Sequence, residues 1–530
     1  MKPFVFVYAA IISCGLMMLS SCSDSNNDDR QNPGPQPEPE EEALPQPENE
    51  FWTKVPVATN YDQNVVNALM AIEGVSDVKP FVMVHDFDLF TKTFTHKTAY
   101  FFHFAQLIDH DDPSKGSYYQ QCVLTVAGQD RPTVLHTEGY AFREEDNRLD
   151  SISEPTLVDV LDANCLQVEH RYFGWSLPEG WTNQWDYLSV RQQCADLHDV
   201  VTAIKQSGIV GNGKWLSTGV SKNGLTTAFY AYYYPNDMDA YVPFCAPFMT
   251  MLADPKVGDY QYSTAAMGDN LEKYKAAFRA YCSNKQLQAE TVEMLKSIYD
   301  CSGKTDEQLR VELLRYLYNN MFQKMSYVRY DKWLPWVPNV GDDAGKYLRF
   351  IMADSKTQYP DETQLDWERR LESASDEERM KLLDDYLQYL LSVRAETKQR
   401  MNPFDVQTKK ELGSMQENIS WVADLLTDAE KEHLQSPGYN VLPGIQYDGG
   451  RTVKAFLNGM KQSQCNMYFV YGSQDPWTGG RIPDEYLGVN SRVYIIQNGT
   501  HDDSIDKWNS SERSALFQWL NGIGFTMPAN

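Results

Sequence analysis

The chain is 530 residues long, 42% hydrophobic and 13% aromatic, and carries a formal net charge of −26. That length supports a large core and more than one structural unit. The charge speaks against a nucleic-acid partner, which needs a basic face, and instead suits a protein kept soluble outside the cell.

The first residues read as an export signal: Lys2, then the mostly apolar Pro3 to Leu19, then Leu19-Ser20-Ser21-Cys22. This ending is similar to a bacterial lipobox. The resemblance implies removal of residues 1–21 and acylation of Cys22, which anchors a protein to a membrane without a spanning helix. A plain signal peptide with an incidental cysteine is the alternative. No later stretch approaches the roughly 18 apolar residues of a membrane span. Residues 22–50 are acidic and proline-rich and are expected to be an extended tether that buries nothing. The acidic run after Cys22 resembles the sorting signal of surface-exposed lipoproteins, with a solvated linker as the other reading. The expected location is the bacterial cell envelope, lipid-anchored, periplasmic or at the cell surface.

Seven cysteines follow: Cys122, Cys165, Cys194, Cys245, Cys282, Cys301 and Cys465. Their odd number leaves at least one unpaired within the chain, no CxxC occurs, and buried free thiols are expected.

From Val78 the chain offers strand-like runs at 81–84, 99–104, 118–126, 132–137 and 165–169. The earlier runs have the short links of hairpins and the later ones the longer links of parallel crossovers. Val190, Cys194, Leu197, Val201 and Ile204 then repeat at helical spacing, one apolar stripe suited to lie on a sheet. A strand that enters the glycine-flanked Ser221 and a short strand at 241–245 follow.

Through about Pro437 the sequence turns to charged amphipathic helices. One begins with a capping box from Ser375 to Glu378 and has Met380, Leu383, Leu387 and Leu390 on its inner face. Strand character returns at 466–472 and 492–496. The fold class is therefore α/β: an α/β-hydrolase fold with a helical cap inserted between the sixth strand of the sheet and the last two. The expected division is a core at 51–248 and 441–530 and a cap at 249–440.

The chemistry centres on Thr218-Gly219-Val220-Ser221-Lys222-Asn223-Gly224, where a strand enters a glycine-flanked serine and a helix leaves it. Such a turn holds a nucleophilic hydroxyl out. The elbow usually reads Gly-x-Ser-x-Gly; here Asn223 holds the fifth position and Gly224 comes one step late. A serine needs a base, and the base needs an orienting acid. Of nine histidines, His501 alone lies beyond the returning strands, and Asp475 follows the strand before it. The oxyanion hole is expected to combine the Lys222 N–H with that of Gly139 or Tyr140, with the Lys222 side chain either in solvent or on a substrate carboxylate. His136 reads as a strand-end histidine making a hydrogen bond. No HExxH or paired-cysteine spacing occurs, so no metal or organic cofactor is expected.

On His136 to Tyr140, Glu169-His170-Arg171-Tyr172-Phe173-Gly174, the Ser221 elbow, Asp475 and His501, the chain resembles serine peptidase family 37, the secreted bacterial prolyl tripeptidyl aminopeptidase-like family. The Glu-His-Arg-Tyr run is also similar to the lysosomal prolyl carboxypeptidase and dipeptidyl peptidase family. The resemblance implies Ser221 as nucleophile, Asp475 as orienter and His501 as base, and cleavage of short peptides from a free N-terminus, often after proline. A substrate ammonium then needs a carboxylate, for which Glu138 and Glu169 are candidates. Glu169 paired with Arg171 to hold the strand end is the other reading. Trp175 and Trp477 either wall a proline-sized pocket or are ordinary core aromatics. By its position in the chain, the insertion is expected to narrow the mouth to small peptides. An esterase, or a catalytically silent binding lipoprotein on the same scaffold, remains the competing reading.

Overall fold

The structure is a computed structural model, which describes residues 55–88, 93–140, 142, 154–178, 185–298, 301, 303–324, 337–352, 375, 378, 403–435, 444–501, 505 and 508–526. The export signal, Cys22, the tether, Met380, Leu383, Leu387 and Leu390 lie outside the described residues.

Nine strands form one sheet: β1 (Val75–Asp88), β2 (Thr93–Leu107), β3 (Ser117–Thr125), β4 (Thr133–Thr137), β5 (Asn164–Val168), β6 (Trp215–Val220), β7 (Ala240–Phe244), β8 (Met467–Gly472) and β9 (Ser491–Ile496). Their order is β1-β2-β3-β5-β4-β6-β7-β8-β9. The first three pair antiparallel, as does β3 with β5, and every later pair is parallel. β5, β7 and β8 are buried along their whole length, as parallel strands covered on both faces must be. This is the α/β-hydrolase arrangement. The chain crosses from β5 over β4 to β6, so the carboxyl ends of β4 and β6 flank the point where strand order reverses, where open α/β sheets build their sites.

One face is covered by helices Gln63–Met70, Val190–Ser207, Lys222–Tyr233 and Arg451–Met460, whose apolar residues join those of the sheet in one cluster. Helices Thr156–Leu161 and Ser510–Gly522 cover the other. The Val190–Ser207 helix starts where Ser189 accepts a hydrogen bond from the Gln192 N–H, and stops at Gly208, whose φ of 71° no β-carbon residue adopts cheaply.

The insertion follows the seventh strand, not the sixth as expected, because the short run after the nucleophile helix pairs into the sheet as β7; between β7 and β8 the described chain is largely helical. Helices Asn270–Ser283, Lys285–Ile298, Asp306–Tyr318 and Ala344–Met352 bury their apolar faces against one another rather than on the sheet. Trp421 stacks on Tyr262 at 4.7 Å and meets Phe278 and Phe322 at 5.5 and 5.3 Å. Ser375 and Glu378 make the reciprocal bonds of a capping box, Ser375 N–H to Glu378 Oε2 at 2.9 Å and Glu378 N–H to Ser375 Oγ at 3.3 Å.

Candidate active site

β6 ends at Val220, and Ser221 turns the chain with φ 60° and ψ −120°, a left-handed strain that persists only where the surroundings fix it. Its N–H donates to the Phe244 carbonyl of β7 at 2.9 Å, and its carbonyl accepts from Leu225 in the departing helix at 2.9 Å. A β-carbon on Gly219 would come within 2.6 Å of the Asn223 backbone, and one on Gly224 within 2.5 Å of the Phe244 carbonyl. The turn's steric demand therefore falls on residues 219 and 224. Asn223 fits because its side chain reaches into the loop after β4. Its Oδ1 accepts from the Gly139 N–H at 2.8 Å and its Nδ2 donates to Glu138 Oε1 at 3.2 Å.

Asp475 and His501 leave β8 and β9 in loops packed hard together; a β-carbon on Gly472 would meet the Gly499 carbonyl at 2.5 Å. Asp475 Oδ2 lies 2.8 Å from His501 Nδ1, while its Oδ1 accepts from the Trp477 N–H at 3.0 Å. Both residues are buried. With Nδ1 held by the carboxylate, Nε2 is the nitrogen left to take a proton. Ser221, Asp475 and His501 thus stand at the carboxyl ends of β6, β8 and β9 in one sheet.

Several expectations for the surrounding residues need correction. The Lys222 side chain is neither in solvent nor positioned for a substrate carboxylate. It is buried, its Nζ donates to the Gly139 carbonyl, and it lies 5.2 and 5.1 Å from the ring centres of Tyr140 and Phe173. Burial pushes its amine down to about 7 against the pull of Glu138 and Glu411. The Gly139 N–H, expected in the oxyanion hole, is taken by Asn223, and the Tyr140 N–H makes a 3.1 Å contact to Glu138 Oε1. The Lys222 N–H opens its helix, where no intrahelical acceptor exists.

Glu169 is not placed for an ammonium. Its Oε1 accepts from Phe142 N–H at 2.9 Å, and its Oε2 from Trp175 N–H, Ser176 N–H and Ser176 Oγ at 3.2, 3.0 and 2.7 Å. Burial pushes its carboxyl up to about 7, opposed by these four donors. Nor does it pair with Arg171. Arg171 is buried and bidentate to Asp196, at 2.7 Å for both bonds, with carbonyls of Leu107, Ile108 and Tyr187 taking its remaining donors. Glu138 is half-buried beside Lys222, its internal bonds fall on Oε1, and burial raises its carboxyl above the ordinary range. Trp175 and Trp477 are half-buried; Trp477 packs with Met249, Val257 and Met415, next to Asp475. His136 bonds Gln167 Oε1 at 3.3 Å.

Sequence reasoning missed the end of the insertion. Phe404 meets the Tyr140 ring at 5.6 Å, Gln407 Nε2 reaches His170 at 3.4 Å, and Glu411 accepts from the Val190 N–H at 2.7 Å. Lys410 donates to the carbonyls of Trp185, Asp186 and Leu188. No motif marks this segment; only its return to the loops after β4 and β5 gives it a place beside Lys222.

Residues 77–319 match the family of PS-10 peptidase S37. The prolyl tri/tetrapeptidyl aminopeptidase of Streptomyces mobaraensis is 25% identical over 440 residues, 78% of this chain and 77% of its own. Among solved structures, a proline iminopeptidase of Mycobacterium smegmatis aligns at 11% identity and TM-score 0.31, over 79% of this chain and 98% of its own. An alpha/beta fold family hydrolase of Bacillus anthracis aligns at 13% and 0.29, over 77% and 95%. The fold itself rests on the strand order. With the elbow serine inside the matched stretch, the chain is a serine peptidase similar to those of family S37.

Proposed function

We propose that the protein is an exopeptidase that releases short units, tripeptides or dipeptides, from the free N-terminus of peptides, with proline preferred at the cut. The observation that carries the chemistry is the buried 2.8 Å bond between Asp475 and His501, set two strands from a serine held at φ 60°. In this reading Ser221 Oγ attacks the scissile carbonyl, His501 Nε2 takes its proton and returns it to the leaving amine, and Asp475 fixes the tautomer. Water then releases the acyl-enzyme. The Lys222 N–H at the helix start supplies one oxyanion donor. The second falls to Tyr140, whose contact to Glu138 is long at 3.1 Å, rather than to Gly139, already bonded at 2.8 Å. Glu138, with Oε1 pinned by Asn223 and Tyr140, is the carboxylate for the substrate ammonium, and the S. mobaraensis relative supports the tripeptide and prolyl parts of the reading. An envelope location through acylated Cys22 belongs to the same proposal, and loss of membrane fractionation in Cys22→Ala tests it.

Ser221→Ala is expected to abolish both fluorophosphonate labelling and hydrolysis of proline-containing tripeptide anilides. Asp475→Asn, which keeps the shape but not the tautomer, is expected to lower kcat by about 10⁴. Glu138→Gln is expected to raise KM for free peptides, and the wild type to turn over N-blocked ones poorly. Equal turnover of free and blocked substrates would instead favour an esterase or other acyl hydrolase, and mass spectrometry of products from a peptide library reads the unit length.

A further inference from the structure

Cys245 follows β7 directly and keeps φ at 49°, a left-handed conformation rare for a residue with a β-carbon. Its N–H donates to the Val470 carbonyl at 2.7 Å, which ties it to β8, the strand that leads into Asp475. The turn brings a third kind of donor to the acid–base pair. Cys245 Sγ, a carboxylate oxygen of Asp475 and a ring nitrogen of His501 all lie within 4.8 Å of one another, and all three residues are buried. Among the described residues no other three histidine, cysteine or acidic groups gather this closely. The peptide chemistry proposed above uses the carboxylate and the imidazole and has no task for the thiol.

We propose that Cys245, Asp475 and His501 form an inhibitory site for zinc. The inhibitory part rests on reading Asp475 and His501 as the acid–base pair; binding of the cation does not. A thiolate, an imidazole and a carboxylate suit zinc and cadmium, whereas calcium and magnesium take oxygen ligands. Zinc ligands lie at about 2.0–2.3 Å, which sets neighbouring ligand atoms of a tetrahedron roughly 3.3–3.7 Å apart. The 2.8 Å between His501 Nδ1 and Asp475 Oδ2 is the shorter spacing of a hydrogen bond. The cation therefore takes the place of the proton in that bond, and the two side chains part by about half an ångström to admit it. Three protein ligands leave the fourth position for water.

On binding, the Cys245 thiol gives its proton to solvent, and the proton displaced from His501 Nδ1 is matched by one taken up at Nε2. One proton is released per cation. With Nε2 protonated, the ring has no lone pair to receive a proton from Ser221, and turnover stops.

The test uses the full chain. Zinc is titrated against tripeptide-anilide hydrolysis with chelator reversal, and cadmium binding is followed separately by the ultraviolet thiolate-to-cadmium band. The wild type is expected to lose activity reversibly and to gain the band. Cys245→Ser and Cys245→Ala, each compared with its own metal-free rate, are expected to lack that band. Their zinc inhibition constants are expected to rise by at least ~10-fold, because even loss of a second-shell partner weakens metal binding ~10–100-fold. An absent band in the wild type, or inhibition of both variants at the wild-type zinc concentration, overturns the proposal. If metal-free enzyme fails to label at Ser221, the active-site reading fails, and the cadmium band and its loss in the variants still decide the site.

Discussion

Asn223 and Lys222, adjacent on the nucleophile helix, clasp the loop after β4 from two sides. One takes the Gly139 N–H and Glu138, the other the Gly139 carbonyl. Asn223→Gly restores the usual elbow glycine and removes two of these bonds. It is expected to lower stability by about 1–3 kcal/mol in urea unfolding and to reduce kcat/KM. Lys222 gives a pH signature. Its folded-state pKa lies at about 7, below the value of 10.5 for a free lysine, so above 7 the unfolded chain binds the proton more tightly. Its contribution to stability therefore rises with pH across that window. Wild type is expected to gain stability relative to Lys222→Met as pH rises from 7 to 10, and an unchanging difference would show that the amine is not desolvated. At Asp196 the consequence is structural. Removing it by Asp196→Ala leaves the buried Arg171 charge unpaired, with an expected loss of about 3–5 kcal/mol.

At the scale of elements, periodicity and turn chemistry carry far. The stripe from Val190 to Ile204 sits on one helix capped at Ser189, and each expected strand run overlaps one of the nine strands, several of them overshooting an end by a residue. β1 starts earlier than its apolar run because it continues through a bulge between Ser76 and Lys79, with Asp77 at φ 53°. That irregularity has no alternating pattern to announce it. The helices between β7 and β8 are held by their own aromatic cluster, so damage there is expected to stay local. Phe278→Ala should lower the stability of that unit by about 3–5 kcal/mol, read by urea titration and limited proteolysis. Ser221 labelling is expected to survive below that transition.

For the molecule as a whole, the formal charge of −26 acts as self-repulsion on a compact state. Raising ionic strength from low to physiological is expected to raise the urea midpoint, since exposed like charges are screened over about 8–10 Å. No helix of the described residues is long and apolar enough to cross a membrane.

Strand positions, the elbow at Ser221 and the candidate acid and base were legible in the chain because each depends on local rules. Such rules are a buried run of a few residues, a glycine where a β-carbon collides, and a polar loop after a strand. The partners of Glu169, Asn223, Lys222 and Cys245 were not, because each is set wholly or in part by a distant segment, from Phe142 for Glu169 to His501 for Cys245, brought alongside by β-sheet pairing. A carboxylate reads the same in sequence whether it awaits a ligand or already holds four donors. Only tertiary packing, which fixes how much water it keeps and which dipoles face it, distinguishes Glu138 from Glu169.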